Sequence, residues 1–135
     1  MPQQQPLKLK GVPGSPYTRK MLAYLRFRHI PYELLLGDQS NALDLPEAKV
    51  GLLPTFYLPN ADGALEAVVD STPLIRRFES QFPNRAAVPT HPVLNFINYL
   101  IEDYADEWLT KAMFHYRWHY QACVNQLRGK HPVRR

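Results

Sequence analysis

The sequence predicts an α/β fold in which a mixed four-stranded sheet with flanking helices is followed by a helical segment. Three observations predict it: strand patterns alternate with a helical stripe, a hairpin turn follows, and a long apolar helix pattern comes after a proline-rich linker. The chain has 135 residues, of which 45% are hydrophobic. That composition is enough for one compact domain with a core, but not for two full ones.

The first three elements form a β-α-β unit. Residues 7–12, LKLKGV, alternate apolar and basic side chains, as a strand with one solvated face does. Ser15 is a good helix N-cap, and Pro16 suits the first helical turn because its missing N–H costs nothing there. The helix carries an apolar stripe formed by Met21, Leu22, Leu25 and His29, and PYELLL then predicts a buried strand. Two strands joined through a helix predict a parallel pair with a right-handed crossover.

The sheet is predicted to end in a hairpin. Residues 37–49 are polar and predict a loop with a short irregular helix. Residues 52–58 and 65–69 predict two strands, and Asp62-Gly63 between them is a strong turn signal. Asp70 and Ser71 offer N-caps to the helix that contains PLIRRFESQF. The predicted order is therefore β-α-β-α-β-β-α.

A linker separates this domain from a helical segment. We assign residues 1–83 to the sheet domain, residues 84–91 to the linker and residues 92–135 to the helical segment with its basic tail. The segment is long enough for one long helix, starting near Pro92, and a second short one. The apolar stripe of the long helix is broad and comprises Val93, Leu94, Ile97, Leu100, Ile101, Tyr104, Trp108 and Met113.

The net charge of +4 is concentrated at the C-terminal end of the chain. From Lys111 onward there are six basic residues and no acid, so the preceding part has a net charge of −2. A loose basic tail is more typical of a solubilising end than of a nucleic-acid reader, and we expect no nucleic acid as partner. No apolar run approaches the ~20 residues of a membrane span, and the start lacks the apolar centre of a secretory signal. Together with a single cysteine, Cys123, this predicts a cytoplasmic protein without a membrane partner.

Three places in the sheet domain could carry chemistry. Ser15 lies at a helix N-terminus, where unpaired N–H groups and the helix dipole favour an anion; a routine N-cap is the alternative. Leu53-Pro54 opens a strand with a residue that cannot donate to the ladder, and a cis bond there would free the backbone of Leu53 to pair with an extended ligand. Asp70 and Ser71 would suit a ligand with both ammonium and carboxylate groups; simple capping is again the alternative.

The order and spacing of these motifs resemble a known family. SPYTRK after the first strand, LLPTFYL with a proline at the cis-proline position, and VVDSTPLIRRFE are similar to the N-terminal, thioredoxin-like domain of the glutathione transferase family. HPVLNFINYLIEDYADEWLTKAMFHYRW is similar to the opening helix of the family's all-helical C-terminal domain, here truncated. Within the family, the chain resembles bacterial transferase-like proteins of unassigned substrate.

The resemblance implies a glutathione site. Ser15 matches the activating hydroxyl of serine-type members, which donates to the glutathione thiolate, and Tyr17 is a second candidate. Leu53, with the family's cis-proline at Pro54, would pair with the cysteinyl unit. The γ-glutamyl end would be held by Asp70 and Ser71, and Lys49 is the candidate for the glycine carboxylate.

The resemblance also implies an activity, with one alternative. Conjugation of glutathione to a small hydrophobic electrophile is the expected reaction, with Tyr104 and Trp108 in the electrophile pocket. The short helical segment would expose an apolar patch, which predicts a homodimer. It also keeps open the alternative of a non-catalytic binding or interaction module with the same fold.

Two further possibilities rank lower. A reductase or peroxidase would need a cysteine at position 15 and ranks last. We expect no metal, because His115 and His119 at i, i+4 spacing lack a third ligand.

Overall fold

The computed structural model describes residues 5–37 and 43–129, with side chains up to residue 125. The chain divides into two compact units, Met1–Ala87 and Val88–Arg135, which we call the sheet unit and the helical unit. Each is described by itself. The assignment of residues 1–83 to a glutathione-binding domain and of residues 84–91 to a linker stays a prediction.

The sheet unit contains the predicted mixed four-stranded sheet. The strands have the spatial order β2-β1-β3-β4; β1 pairs parallel with β2 and antiparallel with β3, and β3 pairs antiparallel with β4. The strands are β1 (Leu7–Lys10), β2 (Tyr32–Leu35), β3 (Thr55–Pro59) and β4 (Leu65–Val68), and the helices are α1 (Pro16–Arg28) and α2 (Ser71–Gln81). The parallel pair and the hairpin are therefore confirmed.

All four strands are shorter than their patterns predicted, β1 and β3 by two residues. β1 ends at Lys10 and β3 begins at Thr55, not at Leu52. The late start of β3 follows from Pro54, which has no N–H to donate to a ladder. The second helix, predicted within residues 37–49, has no counterpart in the described part of that stretch, and residues 38–42 lie outside the described residues.

The hairpin turn between β3 and β4 is built by the predicted residues. The side-chain oxygen of Asn60 accepts hydrogen bonds from the N–H of Asp62 at 3.0 Å and of Ala64 at 2.9 Å. Gly63 has φ 82°, a left-handed conformation that glycine adopts at no steric cost. The turn therefore fixes the register of the two strands.

Both helices of the sheet unit pack on one face of the sheet. Leu9 and Phe56, which are paired across β1 and β3, are fully buried there. The rings of Phe56 and Phe78 meet edge to face with centroids 5.4 Å apart. The cluster is completed by further side chains of both helices, of β3 and of the turn after α1: Met21, Leu22, Tyr24, Leu25, Ile30, Leu58 and Leu74. Because side chains alternate along a strand, Lys10, Thr55 and Tyr57 belong to the opposite face.

A buried polar network lies at the C-terminal end of α1. The guanidinium of Arg28, whose side chain is fully buried, forms a salt bridge with Glu79 of α2 and donates to the hydroxyl of Tyr24 at 2.6 Å. It also donates to the carbonyls of Phe82 and, at 3.1 Å, of Asn84. Burial raises the pKa of Tyr24, against the opposing effect of Arg28. The network ties α1, α2 and the chain after α2 together.

The first helix of the helical unit begins at the predicted residue, Pro92. It consists of α3 (Pro92–Asp103), a π-helical segment (Tyr104–Leu109), α4 (Thr110–Trp118) and α5 (Gln121–Gly129). At the end of the π-helical segment the hydroxyl of Thr110 donates to the carbonyl of Asp106 at 2.6 Å. No side chain of α3, the π-helical segment or α4 is buried. Among the described residues, no helix has the length and apolar character to cross a membrane.

Candidate functional site

The sheet gathers the three predicted positions at one edge. Lys10, at the end of β1, pairs with Thr55, at the start of β3, and Val68, at the end of β4, pairs with Phe56. Ser15 follows β1, Leu53-Pro54 precedes β3, and Asp70-Ser71 follows β4. The strand register therefore places all three at the edge where α1 and α2 begin.

Ser15 is the N-cap of α1, as predicted. Its hydroxyl oxygen accepts a hydrogen bond from the N–H of Thr18 at 3.2 Å, and the hydroxyl donates to the carbonyl of Leu53 at 3.4 Å. The first contact is an ordinary capping bond, whereas the second lies beyond the usual length of a hydroxyl hydrogen bond. The hydroxyl proton can therefore turn to a better acceptor at small cost.

The Leu53-Pro54 peptide bond is cis, and Pro54 is buried. The N–H of Leu53 makes no hydrogen bond within the described part of the chain. Its carbonyl accepts only the long bond from Ser15 among the same residues. Both backbone groups of Leu53 are thus available to an extended peptide-like ligand.

Asp70 caps α2 in an unusual backbone conformation. Its φ is 80°, in the left-handed half of conformational space, and its carboxylate accepts from the N–H of Thr72 at 3.3 Å. Such conformations cost about 1–3 kcal/mol in a non-glycine residue and occur most often at functional sites. Ser71 follows, 5% exposed, and its hydroxyl makes no hydrogen bond within the described residues. A carboxylate and an unpaired hydroxyl therefore stand side by side.

The other predicted site residues belong to several different elements. Tyr17 is half-buried in the first turn of α1, and Lys49 is exposed in the loop before β3. Tyr104 and Trp108 belong to the helical unit, where they are 55% and 62% exposed. The ammonium of Lys111 lies 4.7 Å from the centroid of the Trp108 ring. Their predicted roles stay predictions.

The electrostatics at the start of α1 favour an anion. The first turn of the helix contains no acidic residue, and Arg19 and Lys20 follow closely. The positive end of the helix dipole acts in the same direction. A thiolate beside Ser15 would therefore be stabilised by both.

The sequence analysis missed a cleft on the other side of the sheet. It has a volume of about 590 Å³ and lies between the loop before β3 and the face that carries Lys10, Thr55 and Tyr57. No local pattern marks it, because it forms only where the loop before β3 packs against the face of the sheet that carries Lys10. No group of three or more potential metal ligands occurs in residues 5–37 and 43–129. The rings of His115 and His119 are stacked, with centroids 4.6 Å apart.

Comparison with known proteins gives the same fold. Two solved structures of maleylacetoacetate isomerase from Anaeromyxobacter dehalogenans 2CP-1 superpose on 97% of the chain. The first, which holds dicarboxyethyl glutathione and citrate in its active site, has a TM-score of 0.62 at 17% identity. The second has a TM-score of 0.60 at 14% identity. The chain spans 56% and 55% of the length of those proteins.

The family itself is identified from the sheet unit. No curated protein matches the chain. A family model described as "Glutathione S-transferase, N-terminal domain" matches residues 9–86, which is more than half of the chain. That match covers the second half of β1, the other three strands, both helices of the sheet unit and the three positions at its edge. The chain therefore belongs to the glutathione S-transferase family.

Proposed function

We propose that this protein binds glutathione at the edge of the sheet and activates its thiol for attack on a small hydrophobic electrophile. The observation that carries the proposal is the set of unpaired polar groups at that edge: the N–H of Leu53 and the hydroxyl of Ser71 make no hydrogen bond within the described residues. These groups are open to solvent, so a bound peptide exchanges their hydrogen bonds with water for hydrogen bonds with the ligand. Each such exchange contributes about 0.5–1.5 kcal/mol, and about 1.5–3 kcal/mol where one partner is charged.

Glutathione would bind these polar groups in one orientation along the edge of the sheet. Leu53 would pair through its backbone with the cysteinyl unit, beside Pro54, and Asp70 and Ser71 would hold the ammonium and carboxylate of the γ-glutamyl end. Lys49 is our candidate for the glycine carboxylate. The glutathione derivative in the active site of the isomerase of the same fold supports this class of ligand.

The chemical step follows from Ser15. With glutathione bound, the hydroxyl turns from the carbonyl of Leu53 towards the sulfur and donates to the thiolate, while its oxygen keeps the capping bond from Thr18. A charge-assisted hydrogen bond and the start of α1 both lower the thiol pKa. The thiolate then attacks the electrophile, forms the carbon–sulfur bond and expels the leaving group. Tyr17 is the second candidate for the donor, and Tyr104 and Trp108 would contact the electrophile.

The proposal also covers the oligomeric state and the cellular location of the protein. The exposed apolar side chains of the helical unit favour a homodimer. A cytoplasmic location agrees with the supply of reduced glutathione there.

Calorimetric titration of the full chain with glutathione tests the proposal. We expect saturable binding that is weakened about tenfold in Ser71→Ala, because the variant loses one hydrogen bond to a charged group. Ser80→Ala is the matched control: Ser80 is an exposed serine of the same helix, its hydroxyl donates to the carbonyl of Arg77 at 2.7 Å, and its removal should leave the affinity unchanged. A folded wild-type protein that does not bind glutathione contradicts the proposal.

A second candidate is a non-catalytic module that keeps the glutathione site and docks a partner. The exposed aromatic side chains of the helical unit favour it, since large exposed apolar patches mark interaction sites. An assay of conjugation to an activated aryl chloride separates the two. Glutathione binding without turnover above the uncatalysed rate identifies the module.

A further inference from the structure

The cleft on the solvent-facing side of the sheet has the make-up of a ligand site. Its volume of about 590 Å³ falls within the range of roughly 300–1,000 Å³ that small-molecule sites occupy. Its wall is mixed: polar groups contribute somewhat more of the surface than apolar ones, and the apolar part comes from the loop before β3, chiefly Leu43, Leu45, Pro46, Leu52 and Leu53. A wall of this kind can take a molecule with one polar end and one apolar end.

Two hydrogen-bond donors of the opposite wall have no partner. Tyr57 lines the cleft with 7% of its surface exposed, and its phenol makes no hydrogen bond within the described residues. Lys10, half-buried, lines the same cleft, and its ammonium likewise lacks an ion pair there. Burial raises the pKa of Tyr57, so its phenol keeps its proton at neutral pH and remains a donor.

The strand register brings these two donors close together. Lys10 pairs with Thr55 and Lys8 pairs with Tyr57, which makes Lys10 and Tyr57 diagonal neighbours on one face of the sheet. Diagonal neighbours are about 7–8 Å apart at the backbone, so two long side chains there can reach one group. A carboxylate, with two acceptor oxygens, fits a pair of donors of which one is charged.

Among the described residues that line the cleft, the other two polar side chains are occupied or solvated. The hydroxyl of Thr55 already donates to the carbonyl of Leu52 at 2.8 Å. Glu47, on the loop side, is exposed, so water screens its charge. Neither competes with Lys10 and Tyr57 for the head group of a ligand.

We propose that this cleft is a second binding site, which takes a small amphipathic carboxylate. The carboxylate lies on Lys10 and Tyr57, and an aryl or short alkyl body lies on the apolar wall formed by the loop. The site uses none of the side chains that the proposed glutathione site uses, so the two proposals stand or fall separately.

Calorimetric titration of the full chain with 4-phenylbutyrate tests the site. The matched ligand is 4-phenylbutanamide, which has the same body and no charge. We expect the acid to bind at least tenfold more tightly than the amide, because hydrogen bonds to charged groups contribute about 1.5–3 kcal/mol. In Lys10→Met, the affinity for the acid should fall about tenfold, whereas the affinity for the amide should change by no more than about twofold.

Two further variants locate the head group. Tyr57→Phe keeps the buried ring and removes only the hydroxyl, so the acid should bind several-fold more weakly while the fold is retained. Lys49→Met removes an exposed lysine of the same loop that does not line the cleft, and should leave the affinity unchanged. Glu47→Gln should retain the acid or bind it slightly more tightly.

Three binding results would overturn the proposal. Absence of binding, equal affinity for acid and amide, or unchanged binding of the acid in both Lys10→Met and Tyr57→Phe would each do so. Loss of acid binding in Ser71→Ala, with unchanged binding in Lys10→Met, would place the probe in the other site and also overturn it. Persistence of acid binding in Ser71→Ala, in contrast, is expected.

Discussion

Ser15 makes two hydrogen bonds of unequal strength, and the difference decides how it can act. The bond from the N–H of Thr18 fixes the oxygen at the start of α1, and the longer contact to the carbonyl of Leu53 holds the proton only weakly. The oxygen of the hydroxyl therefore stabilises the start of α1, whereas its proton is available for the proposed chemical step. Variants can separate them.

Ser15→Ala and Ser15→Asp form the informative pair. Alanine removes the cap, which costs about 1 kcal/mol, and the donor; aspartate keeps the cap and places a negative charge near the thiolate. We expect both to lower kcat/KM for conjugation about 10- to 100-fold, the equivalent of one charge-assisted hydrogen bond, while only alanine lowers the free energy of unfolding. Steady-state kinetics and urea unfolding measure the two effects. Full activity in Ser15→Asp would remove the hydroxyl from the mechanism.

Substitutions of Asp70 should affect the stability of the protein and its affinity for glutathione differently. Its φ of 80° suits glycine, which also costs an N-cap only a few tenths of a kcal/mol. We expect the free energy of unfolding of Asp70→Gly to be about 1 kcal/mol higher than that of Asp70→Ala, because alanine loses the cap and retains the strain. Urea denaturation measures this difference. Both should bind glutathione at least tenfold more weakly, as measured by calorimetry, because neither has a carboxylate. Equal stability of the two variants would contradict the strain at this position.

At the scale of elements, the contact between β1 and α1 is unusually close. A Cβ atom on Gly11 would lie 2.6 Å from the methyl carbon of Thr18, a distance that real Cβ atoms do not reach. Glycine is therefore required for α1 to sit this near the sheet. The consequence for Thr18 is that its hydroxyl is fully buried and has no partner among the described residues.

Thr18→Val and Thr55→Val both replace a hydroxyl by a methyl group, but only the hydroxyl of Thr55 is hydrogen-bonded. Thr18 buries an unpaired hydroxyl, whereas Thr55 is nearly as buried and donates to the carbonyl of Leu52 at 2.8 Å. We expect Thr18→Val to raise the free energy of unfolding by about 1 kcal/mol and Thr55→Val to lower it by a similar amount. Urea denaturation followed by circular dichroism measures both. A loss of stability in Thr18→Val would show that its hydroxyl has a partner in solution.

How far the sequence predicts each element depends on how local its cause is. The cap at Ser15, the turn at Gly63 and the cap at Asp70 are set by neighbouring residues, and all three are observed. The salt bridge between Arg28 and Glu79 joins residues 51 positions apart and follows no periodic pattern. The cleft likewise depends on strand register and on the course of a loop. Such features arise only when the elements pack.

At the scale of the whole molecule, the two units differ in how they use their apolar side chains. The sheet unit buries its own on one face of the sheet. The helical unit exposes many of them, as Phe96 at 62%, Ile101 at 63% and Trp108 at 62% show. A broad apolar stripe on a helix is normally buried against another element. In the proposed homodimer the second copy covers this surface.

Size-exclusion chromatography with light scattering tests the homodimer. We expect twice the 15.7 kDa mass of the chain for the wild type, and a shift to the single mass in Phe96→Lys, which places a charge on the apolar surface of α3. Asn95→Lys adds the same charge at an adjacent exposed polar position and should leave the mass unchanged. A wild-type protein of single mass would refute self-association.

The polar network at the end of α1 also determines where the sheet unit can be cut. Phe82 and Asn84 accept hydrogen bonds from Arg28 through their carbonyls, and the N–H of Ala87 donates to Glu79 at 3.2 Å. A protease must take its substrate backbone in an extended form with those groups released. Cleavage between Phe82 and Ala87 therefore requires these hydrogen bonds to open first, so we expect this exposed stretch to resist proteolysis.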